Sequence, residues 1–505
     1  MKLFHLSVGS LLFAVVSVSG LASTTRLVAA DVGLPADFEA NVLRDMEKWH
    51  APGMGLTIVK DGKTLIAKGF GVKSVKSKKP VLPNTVFQAG STSKAFASMA
   101  LAMLADDGKL NWTDTVKKHL PELKIKDKYV EENLTIEDAL THRSGVSGIS
   151  NLNMFMARDL PDAVALLADT EQTAGFRTEW AYNNTTFGLS GLIVARISGM
   201  PYHEFVKKRI LEPLGMHDTL MLDAEVKARD NRAEAHQYFE GTQYEIPYPY
   251  IEYSQSAGMM NSTPQDMEKW LKFLLAGGKW QGKQLVSEKN LKAMFEPRIF
   301  LSAANSYPAT RAFEHNFQGY GLAWFRNSFR GHDVVMHTGS IHGMTAIAGL
   351  IPSEGIGVYI FINSDHIEYR HALMYEVFDL LLGNGDMGIE EAVHAVYNPP
   401  VNADATTVTE EGKTVAAVDA KSIEGTYSLE GTLPIAISAN SVGWTVVYGN
   451  DEQQLTYTPE DGYRARATNL PYTEPGSAIN FLVDDNNKVT GLQFGPLKFV
   501  KAHGK

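Results

Sequence analysis

Apolar positions in the first hundred residues follow the period of a strand and then that of a buried helix. Two strand-like runs, 54–60 and 63–70, flank the pair Asp61 and Gly62, which is typical of a β-hairpin turn. Residues 91–107 contain neither glycine nor proline and are rich in Ala, Met and Leu. They predict a buried helix that begins near Ser91 and ends at Gly108.

Other runs extend this pattern along the chain. An amphipathic helix with the apolar stripe Phe38, Val42, Leu43 and Met46 is predicted within residues 23–50, and residues 110–245 are largely helical in pattern. Four later runs resemble strands and are followed by a helix: Tyr320–Trp324, Val334–His337, Met344–Leu350, Ile356–Ile362 and the helix Tyr369–Leu382. We therefore predict an α+β domain, in which the two ends of the domain build one antiparallel sheet around a large helical insertion.

The pattern changes again near the end of the chain. Residues 396–420 read as a linker, because Pro399 and Pro400 are followed by a stretch rich in Ala, Thr and Val without aromatic residues. From 421 to 505, seven or eight short alternating runs are separated by glycines and Asn-Asp pairs. These runs predict a small C-terminal antiparallel β-barrel.

Composition narrows the class of protein. A chain of 505 residues favours two domains, here 23–395 and 421–505. The net charge of −10 and the lack of a basic block argue against a nucleic-acid partner. Without cysteine, thiol catalysis and cysteine metal sites are excluded, and no His-Glu cluster predicts a metal or other cofactor.

The first 22 residues have the pattern of a signal peptide: a basic start, an apolar run and small residues through Ala22. No later apolar run approaches the length of a membrane span. We expect cleavage after Ala22 and a secreted or periplasmic protein without a membrane span in the mature chain.

Ser91 and Lys94 are the first candidates for chemistry. Residues three apart share one face of a helix, so the hydroxyl and the amine can meet. A base must take the proton of a serine before the serine becomes a good nucleophile. A desolvated lysine can act as that base, or it can hold another base ionised. In most isolated S-x-x-K tetrapeptides the serine is only a helix cap, so other motifs in the chain are needed to identify Ser91 and Lys94 as a catalytic pair.

Two further motifs supply the groups that such a serine needs. The first is Tyr182 with Asn184, an aromatic hydroxyl and an amide that can act beside an amine. The second is His337-Thr338-Gly339-Ser340, where glycine admits a substrate backbone and the following N–H can face an oxyanion.

The order S-x-x-K, Y-x-N, H-T-G resembles the serine hydrolases of the class C β-lactamase and penicillin-binding group, which includes D-aminopeptidases and carboxylesterases. The resemblance covers roughly residues 35–385. Flanking runs that are similar to the same group are Leu140–Gly145, Pro213–Met216, Gly258–Thr263, Tyr320–Trp324 and Phe361–Asn363. The tail after residue 420 resembles the lipocalin-like barrel that some peptidases of this group carry.

The resemblance implies a role for each motif. Ser91 matches the acylated nucleophile, Lys94 its proton-transfer partner and Tyr182 the general base. Asn184, His337, Thr338, Gly339 and Ser340 match the substrate-binding positions, with the N–H groups of Ser91 and Ser340 as the oxyanion hole. β-Lactamases of this group usually carry lysine where His337 stands, so the histidine favours a peptidase or esterase.

Several functions remain open at this point. The leading hypothesis is a serine acyl hydrolase for a small-molecule or short peptide substrate, with a homo-oligomer left open. Alternatives are a β-lactamase or D-Ala-D-Ala carboxypeptidase, a sensor that acylates without turnover, and a structural protein that has lost catalysis. The last conflicts with the intact set of Ser91, Lys94 and Tyr182.

Overall fold

The computed structural model describes residues 33–148, 150, 159–239, 241–398, 419–429, 434–440, 443–448, 451–456, 464–467, 478–494 and 497–502. The predicted signal peptide, 1–22, and most of the predicted linker lie outside these ranges. Both stay predictions, as do the proposed domain bounds. The helix Ile389–Tyr397 runs two residues past the predicted start of the linker.

The α-helices of the described part are Phe38–Lys48 (α1), Lys94–Asp106 (α2), Val116–His119 (α3), Lys128–Asn133 (α4), Ile136–Leu140 (α5), Leu160–Ala165 (α6), Asn184–Ser198 (α7), Tyr202–Val206 (α8), Glu212–Leu214 (α9), Asp223–Lys227 (α10), Gln255–Gly258 (α11), Pro264–Leu275 (α12), Glu288–Phe295 (α13), Tyr369–Leu381 (α14) and Ile389–Tyr397 (α15). None of them combines the length and hydrophobicity needed to span a bilayer.

The strands of the first part are Gly53–Lys60 (β1), Lys63–Gly71 (β2), Phe87–Gln88 (β3), His236–Phe239 (β4), Thr242–Glu245 (β5), Asn261–Ser262 (β6), Lys279–Trp280 (β7), Lys283–Gln284 (β8), Ile299–Phe300 (β9), Gln318–Tyr320 (β10), Phe325–Phe329 (β11), His332–Ile341 (β12), Met344–Ile351 (β13) and Ile356–Ile362 (β14). Eight of them form one antiparallel sheet in the order β2-β1-β14-β13-β12-β11-β10-β9.

This sheet joins the two ends of the domain, as the sequence predicted. Strand β1 pairs on one side with β2 and on the other with β14. The hairpin turn between β1 and β2 has positive φ at both Asp61 and Gly62, the backbone that this pair of residues favours. Helices pack on both faces of the sheet, which places one apolar cluster around α2 and α12 and another around α1 and α14.

The buried helix predicted after Ser91 is confirmed. A 3₁₀ turn, Gly90–Ser93, leads into α2, and every residue from Lys94 to Leu104 is buried. The helix ends at Asp106, and Gly108 follows with a φ of +70°. A helix that is buried all round fixes its first turn rigidly, so the side chains of that turn have defined positions.

Two predictions from the pattern are wrong. The run Tyr320–Trp324 is not a strand: Tyr320 ends β10, and a turn with φ of +73° at Ala323 leads to β11. Leu43 was assigned to the apolar stripe of α1, but it is 51% exposed while Phe38 and Met46 are buried. Short apolar runs do not reveal such a turn, because the apolar residues on both sides of it are buried.

The C-terminal barrel that the sequence predicted is also confirmed. Its strands are Gly425–Ser428 (β15), Ile435–Asn440 (β16), Gly443–Tyr448 (β17), Asp451–Thr456 (β18), Arg464–Ala467 (β19), Ala478–Val483 (β20), Val489–Phe494 (β21) and Leu497–Lys501 (β22). Neighbours in sequence are neighbours in space, and β15 pairs with β22 to close the barrel. Strand β19 was not predicted, because two arginines interrupt its apolar pattern.

Glu376 in α14 makes the stability of this fold depend on pH. Its Oε2 atom is buried without a hydrogen-bond partner, and burial together with nearby carboxylates raises its pKa to about 8. Because the pKa is raised in the folded state, protonation of Glu376 stabilises the fold. This stabilisation is fully present below the ordinary pKa of 4.5 and is lost as pH rises through 8. Glu376→Gln should therefore be more stable than the wild type at pH 9 by roughly 2 kcal/mol or more.

Urea unfolding at pH 5, 7 and 9 measures this difference. The advantage of the Gln variant over the wild type should grow between pH 5 and 9, since only the wild type takes up a proton on folding. If the free energies of unfolding of the two proteins change with pH by the same amount, Glu376 does not titrate in this range.

Candidate active site

The turn that carries Ser91 is pressed against strand β12. Gly90 has a φ of +54°, and a Cβ there would lie 2.8 Å from the backbone nitrogen of Ser340. A Cβ on Gly339 would lie 2.0 Å from the carbonyl oxygen of Ala89. Since no side chain fits at either position, the two glycines allow the backbones of Ser91 and Ser340 to approach each other.

Lys94 points from the first turn of α2 to the hydroxyl of Ser91. Its Nζ donates to Ser91 Oγ at 2.9 Å, to Asn184 Oδ1 at 2.7 Å and to the carbonyl oxygen of Ala257 at 2.6 Å. An ammonium would use its three donors on these atoms, whereas a neutral amine donates to two of them and can accept the Ser91 proton through its lone pair. The side chain is fully buried, and burial lowers the pKa of Lys94 well below its ordinary value. The amine is thus prepared to exist without its proton.

Tyr182 reaches the same hydroxyl from the other side. Its Oη donates to Ser91 Oγ at 2.8 Å. Burial raises the pKa of Tyr182, so the neutral phenol is favoured in the resting site. Ser91 therefore lies between an amine and a phenol, both within hydrogen-bonding distance of its oxygen, as the sequence motifs predicted for these three residues.

His142, within the run Leu140–Gly145, packs against Tyr182 and bonds both of its neighbours in the chain. The ring centroid of His142 lies 4.1 Å from that of Tyr182. The Nδ1 atom of His142 accepts from the backbone N–H of Asn183, and its carbonyl accepts from Ala181. Asn183 in turn caps helix α7 by accepting from the N–H of Thr186 at 2.9 Å. The two residues that flank Tyr182 are thus bonded to one histidine.

Some residues of the motif His337-Thr338-Gly339-Ser340 on β12 line the cavity, and others are buried in the core. Thr338 and Ser340 line the cavity beside Ser91, but His337 is only 1% exposed and does not. Its Nδ1–H donates to the carbonyl of Thr338, and its Nε2 accepts from Tyr320 Oη at 2.8 Å. Burial and the charge of Lys94 lower the pKa of His337 to about 3. His337 is therefore a neutral group behind the site.

A cavity of about 390 Å³ opens at Ser91, a size that suits a small organic molecule. Four aromatic side chains form much of its wall: Trp180, Tyr182, Tyr307 and Phe325. None of the described side chains that line it is acidic, basic or a histidine. Within the described ranges, no group of three or more His, Cys, Asp or Glu side chains is arranged to hold a metal ion.

Sequence reasoning missed the wall formed by residues 304–308 and the buried group behind it. Tyr307 Oη bonds Thr338 Oγ1, which ties this wall to β12. Arg370 bonds Glu368, the Gly339 carbonyl and Ser340 Oγ. The sequence does contain a sign of this buried group: the charged residues from Asp365 to His371 interrupt an otherwise apolar end of the domain.

An antiparallel sheet with helices on both faces, and a serine and a lysine one turn apart at the start of a buried helix, define a β-lactamase/transpeptidase-like fold. The chain belongs to the β-lactamase family, because the family model described as Beta-lactamase matches residues 38–381.

Curated relatives share part of this chain. Protein flp of Staphylococcus aureus (strain COL) is 28% identical over 331 residues, which is 64% of this chain and 62% of flp. The unguisins hydrolase ungD' of Aspergillus campestris is 27% identical over 368 residues, 68% of this chain and 65% of that protein. The chain thus matches less than two thirds of the length of either relative.

Solved structures share the fold. The octameric penicillin-binding protein homologue from Pyrococcus abyssi is 24% identical and superposes with a TM-score of 0.62, covering 92% of this chain and 99% of that one. The class C β-lactamase from Rhodobacter sphaeroides is 20% identical with a TM-score of 0.54, covering 68% of this chain and 98% of that one. At this level of identity, the likeness concerns the fold alone.

Proposed function

We propose that this protein is a serine acyl hydrolase, in which Ser91 forms an acyl-enzyme with an ester or amide substrate. One observation supports the proposal above the others: Ser91 Oγ lies 2.9 Å from the Lys94 amine and 2.8 Å from the Tyr182 phenol, at the mouth of a cavity. A nucleophile with a base and a proton donor on either side is the arrangement that acyl transfer requires.

Burial determines how the proton moves in this proposal. It disfavours both the Lys94 ammonium and the Tyr182 phenolate, so the resting pair is an amine and a phenol, and Lys94 takes the role of base that the resemblance implied for Tyr182. When Ser91 Oγ bonds to the substrate carbonyl carbon, its proton passes to Lys94. As the bond to the leaving group breaks, the Tyr182 phenol protonates the leaving oxygen or nitrogen. The ammonium then returns a proton to the phenolate.

Water completes the cycle. It attacks the acyl carbon, gives one proton to the Lys94 and Tyr182 pair, and releases the acid as Ser91 recovers its hydroxyl proton. In both steps the negative charge develops on the carbonyl oxygen. The backbone N–H groups of Ser91 and Ser340, which the Gly90 and Gly339 contact brings together, are our candidates for the donors to that oxygen.

The lining of the cavity supports a neutral substrate. A carboxylate that moves from water into this site meets no cation among the described side chains of the lining, and Lys94 is buried beneath Ser91 with partners on Ser91, Asn184 and Ala257. Burying a charge without a partner is costly. Aromatic walls instead favour an apolar acyl or leaving group. An uncharged ester or amide therefore fits better than a β-lactam, which carries a carboxylate.

The test compares p-nitrophenyl butyrate with nitrocefin. Each kcat/KM is divided by the rate constant for hydrolysis of the same compound by hydroxide, which corrects for intrinsic reactivity. The normalised value should be higher for the ester by about tenfold or more, since the carboxylate of nitrocefin lacks a charge-assisted bond worth about 1.5–3 kcal/mol. A higher normalised value for nitrocefin would instead favour the β-lactamase alternative. Acylation by either compound without turnover would favour a sensor.

A further inference from the structure

Arg370 is buried behind the strand that faces Ser91. It lies in the first turn of α14, is 3% exposed and does not line the cavity. Its Nη1 donates to the carbonyl oxygens of Gly339 and Ala346 and to Ser340 Oγ. Its Nε and Nη2 donate to the two oxygens of Glu368. Every nitrogen of the guanidinium therefore has a partner within the protein.

The Gly339 carbonyl belongs to the same peptide group as the N–H of Ser340. All described peptide bonds are trans, so this C=O and N–H point in opposite directions within one plane. The nitrogen end lies at the contact with Gly90, next to Ser91. A cation that holds the carbonyl oxygen on one side therefore determines where the N–H points on the other.

We propose that Arg370 is a positioning residue for the oxyanion donor of Ser340, an inference that rests on the proposed hydrolase function. It fixes the plane of the Gly339–Ser340 peptide. A charged donor on the carbonyl also polarises the peptide group and makes its N–H a stronger donor. The benefit appears when negative charge develops on the substrate oxygen, so Arg370 acts on the transition state more than on substrate binding.

Glu368 pairs with Arg370 and so allows a cation to be buried behind a cavity that has no charged side chain in its described lining. Its carboxylate forms two bonds to Arg370 and accepts from His371 Nδ1 at 2.7 Å, if that atom carries the proton. The charges of Arg370 and Glu368 offset each other within the protein. Because every nitrogen of Arg370 already has a partner and the side chain is buried, it is not placed to bind a substrate carboxylate, which agrees with a neutral substrate.

Two variants test the proposal against an ordinary loss of stability. Arg370→Lys keeps one cation that can reach the carbonyl. The double variant Glu368→Gln and Arg370→Met removes both charges together, because an uncompensated buried carboxylate would destabilise the fold. The double variant Arg330→Gln and Asp379→Asn is the matched control: Arg330 forms a two-bond pair with the buried Asp379 of α14, and neither residue lines the cavity.

The double variant at Glu368 and Arg370 should lose about 10- to 100-fold in kcat for p-nitrophenyl butyrate, less than the loss on removal of an oxyanion donor itself. Its KM should change by less than about threefold, because ground-state contacts are kept. The affinity for a neutral alkyl boronic acid, which forms a tetrahedral adduct with serine, should fall by the same factor as kcat. Arg370→Lys should recover part of both, and the control double variant at Arg330 and Asp379 should match the wild type.

Three results would overturn the proposal for Arg370, and a fourth would refute the hydrolase function on which it rests. Wild-type kcat and boronic acid affinity in the folded double variant at Glu368 and Arg370 would overturn the proposal. A loss confined to KM, or an equal loss in the control double variant at Arg330 and Asp379, would overturn it as well, because either result indicates a structural role. Failure of the wild type itself to hydrolyse the ester or to be labelled by a fluorophosphonate would refute the hydrolase function, and this inference with it.

Discussion

Ser91→Ala is expected to abolish covalent labelling by a fluorophosphonate and to lower kcat for p-nitrophenyl butyrate by about 10⁴-fold or more, as loss of an activated serine does. The hydroxyl is the only group of Ser91 that the change removes, and it is the group that Lys94 and Tyr182 contact. Intact-mass spectrometry measures the labelling, with about one adduct per chain expected for the wild type.

Ser98→Ala is the matched control for this experiment. Ser98 lies on the same buried helix, and its hydroxyl is buried away from the cavity without a hydrogen-bond partner. The control should be labelled like the wild type. Full labelling of Ser91→Ala would place the nucleophile elsewhere in the chain.

Tyr182→Phe is expected to lower kcat by about 10²- to 10⁴-fold, the range of general acid–base catalysis by one positioned side chain. The ring stays, so its contact with His142 and the fold should persist. What disappears is the hydroxyl 2.8 Å from Ser91, which we assign to protonation of the leaving group. The loss should therefore shrink for esters with leaving groups of low pKa, which depart without a proton.

Tyr375→Phe removes another buried phenol and serves as the comparison. Its hydroxyl accepts from Asn327 Nδ2 at 3.1 Å in the apolar cluster on the α14 face of the sheet. Steady-state rates with esters of p-nitrophenol and of an aliphatic alcohol separate the two variants. If Tyr182→Phe stays within a few-fold of the wild type for both esters, Tyr182 is not a proton donor in the reaction.

The order of motifs along the chain was enough to predict which residues surround Ser91. Lys94 follows Ser91 by one helical turn, so its contact is a local property of α2. Tyr182 is distant in sequence, yet the resemblance to known hydrolases supplied its position, and the structure places it at Ser91. Their catalytic roles stay proposals until the variants are measured.

Other parts of the site depend on packing that a linear pattern does not contain. The spacing of His337-Thr338-Gly339-Ser340 shows that alternate residues face opposite ways, but not which of them meets the cavity. Thr338 and Ser340 do, and His337 bonds Tyr320 instead. The charged run from Asp365 to His371 is visible in the sequence, but the partners of Arg370 are not, because they lie on β12, on β13 and at Glu368, the residue before α14.

The same limit applies to the fold. The hairpin at Asp61 and the end of α2 at Gly108 were predictable, because backbone preference alone decides them. The turn at Ala323 was not, because an alanine with positive φ has no signal in the sequence. Tertiary contacts set that conformation, and local propensity did not anticipate them.

The pairing of β1 with β14 also governs when activity can arise during synthesis. Met54 lies opposite Ile362, and contacts so distant in sequence form slowly because a long loop must close first. The Ser91 turn likewise needs Gly339 and Ser340 beside it. A growing chain on the ribosome therefore holds its serine and lysine without the strand that completes the site. The reactivity that we propose for Ser91 is therefore expected only after Gly339 and Ser340 have been synthesised.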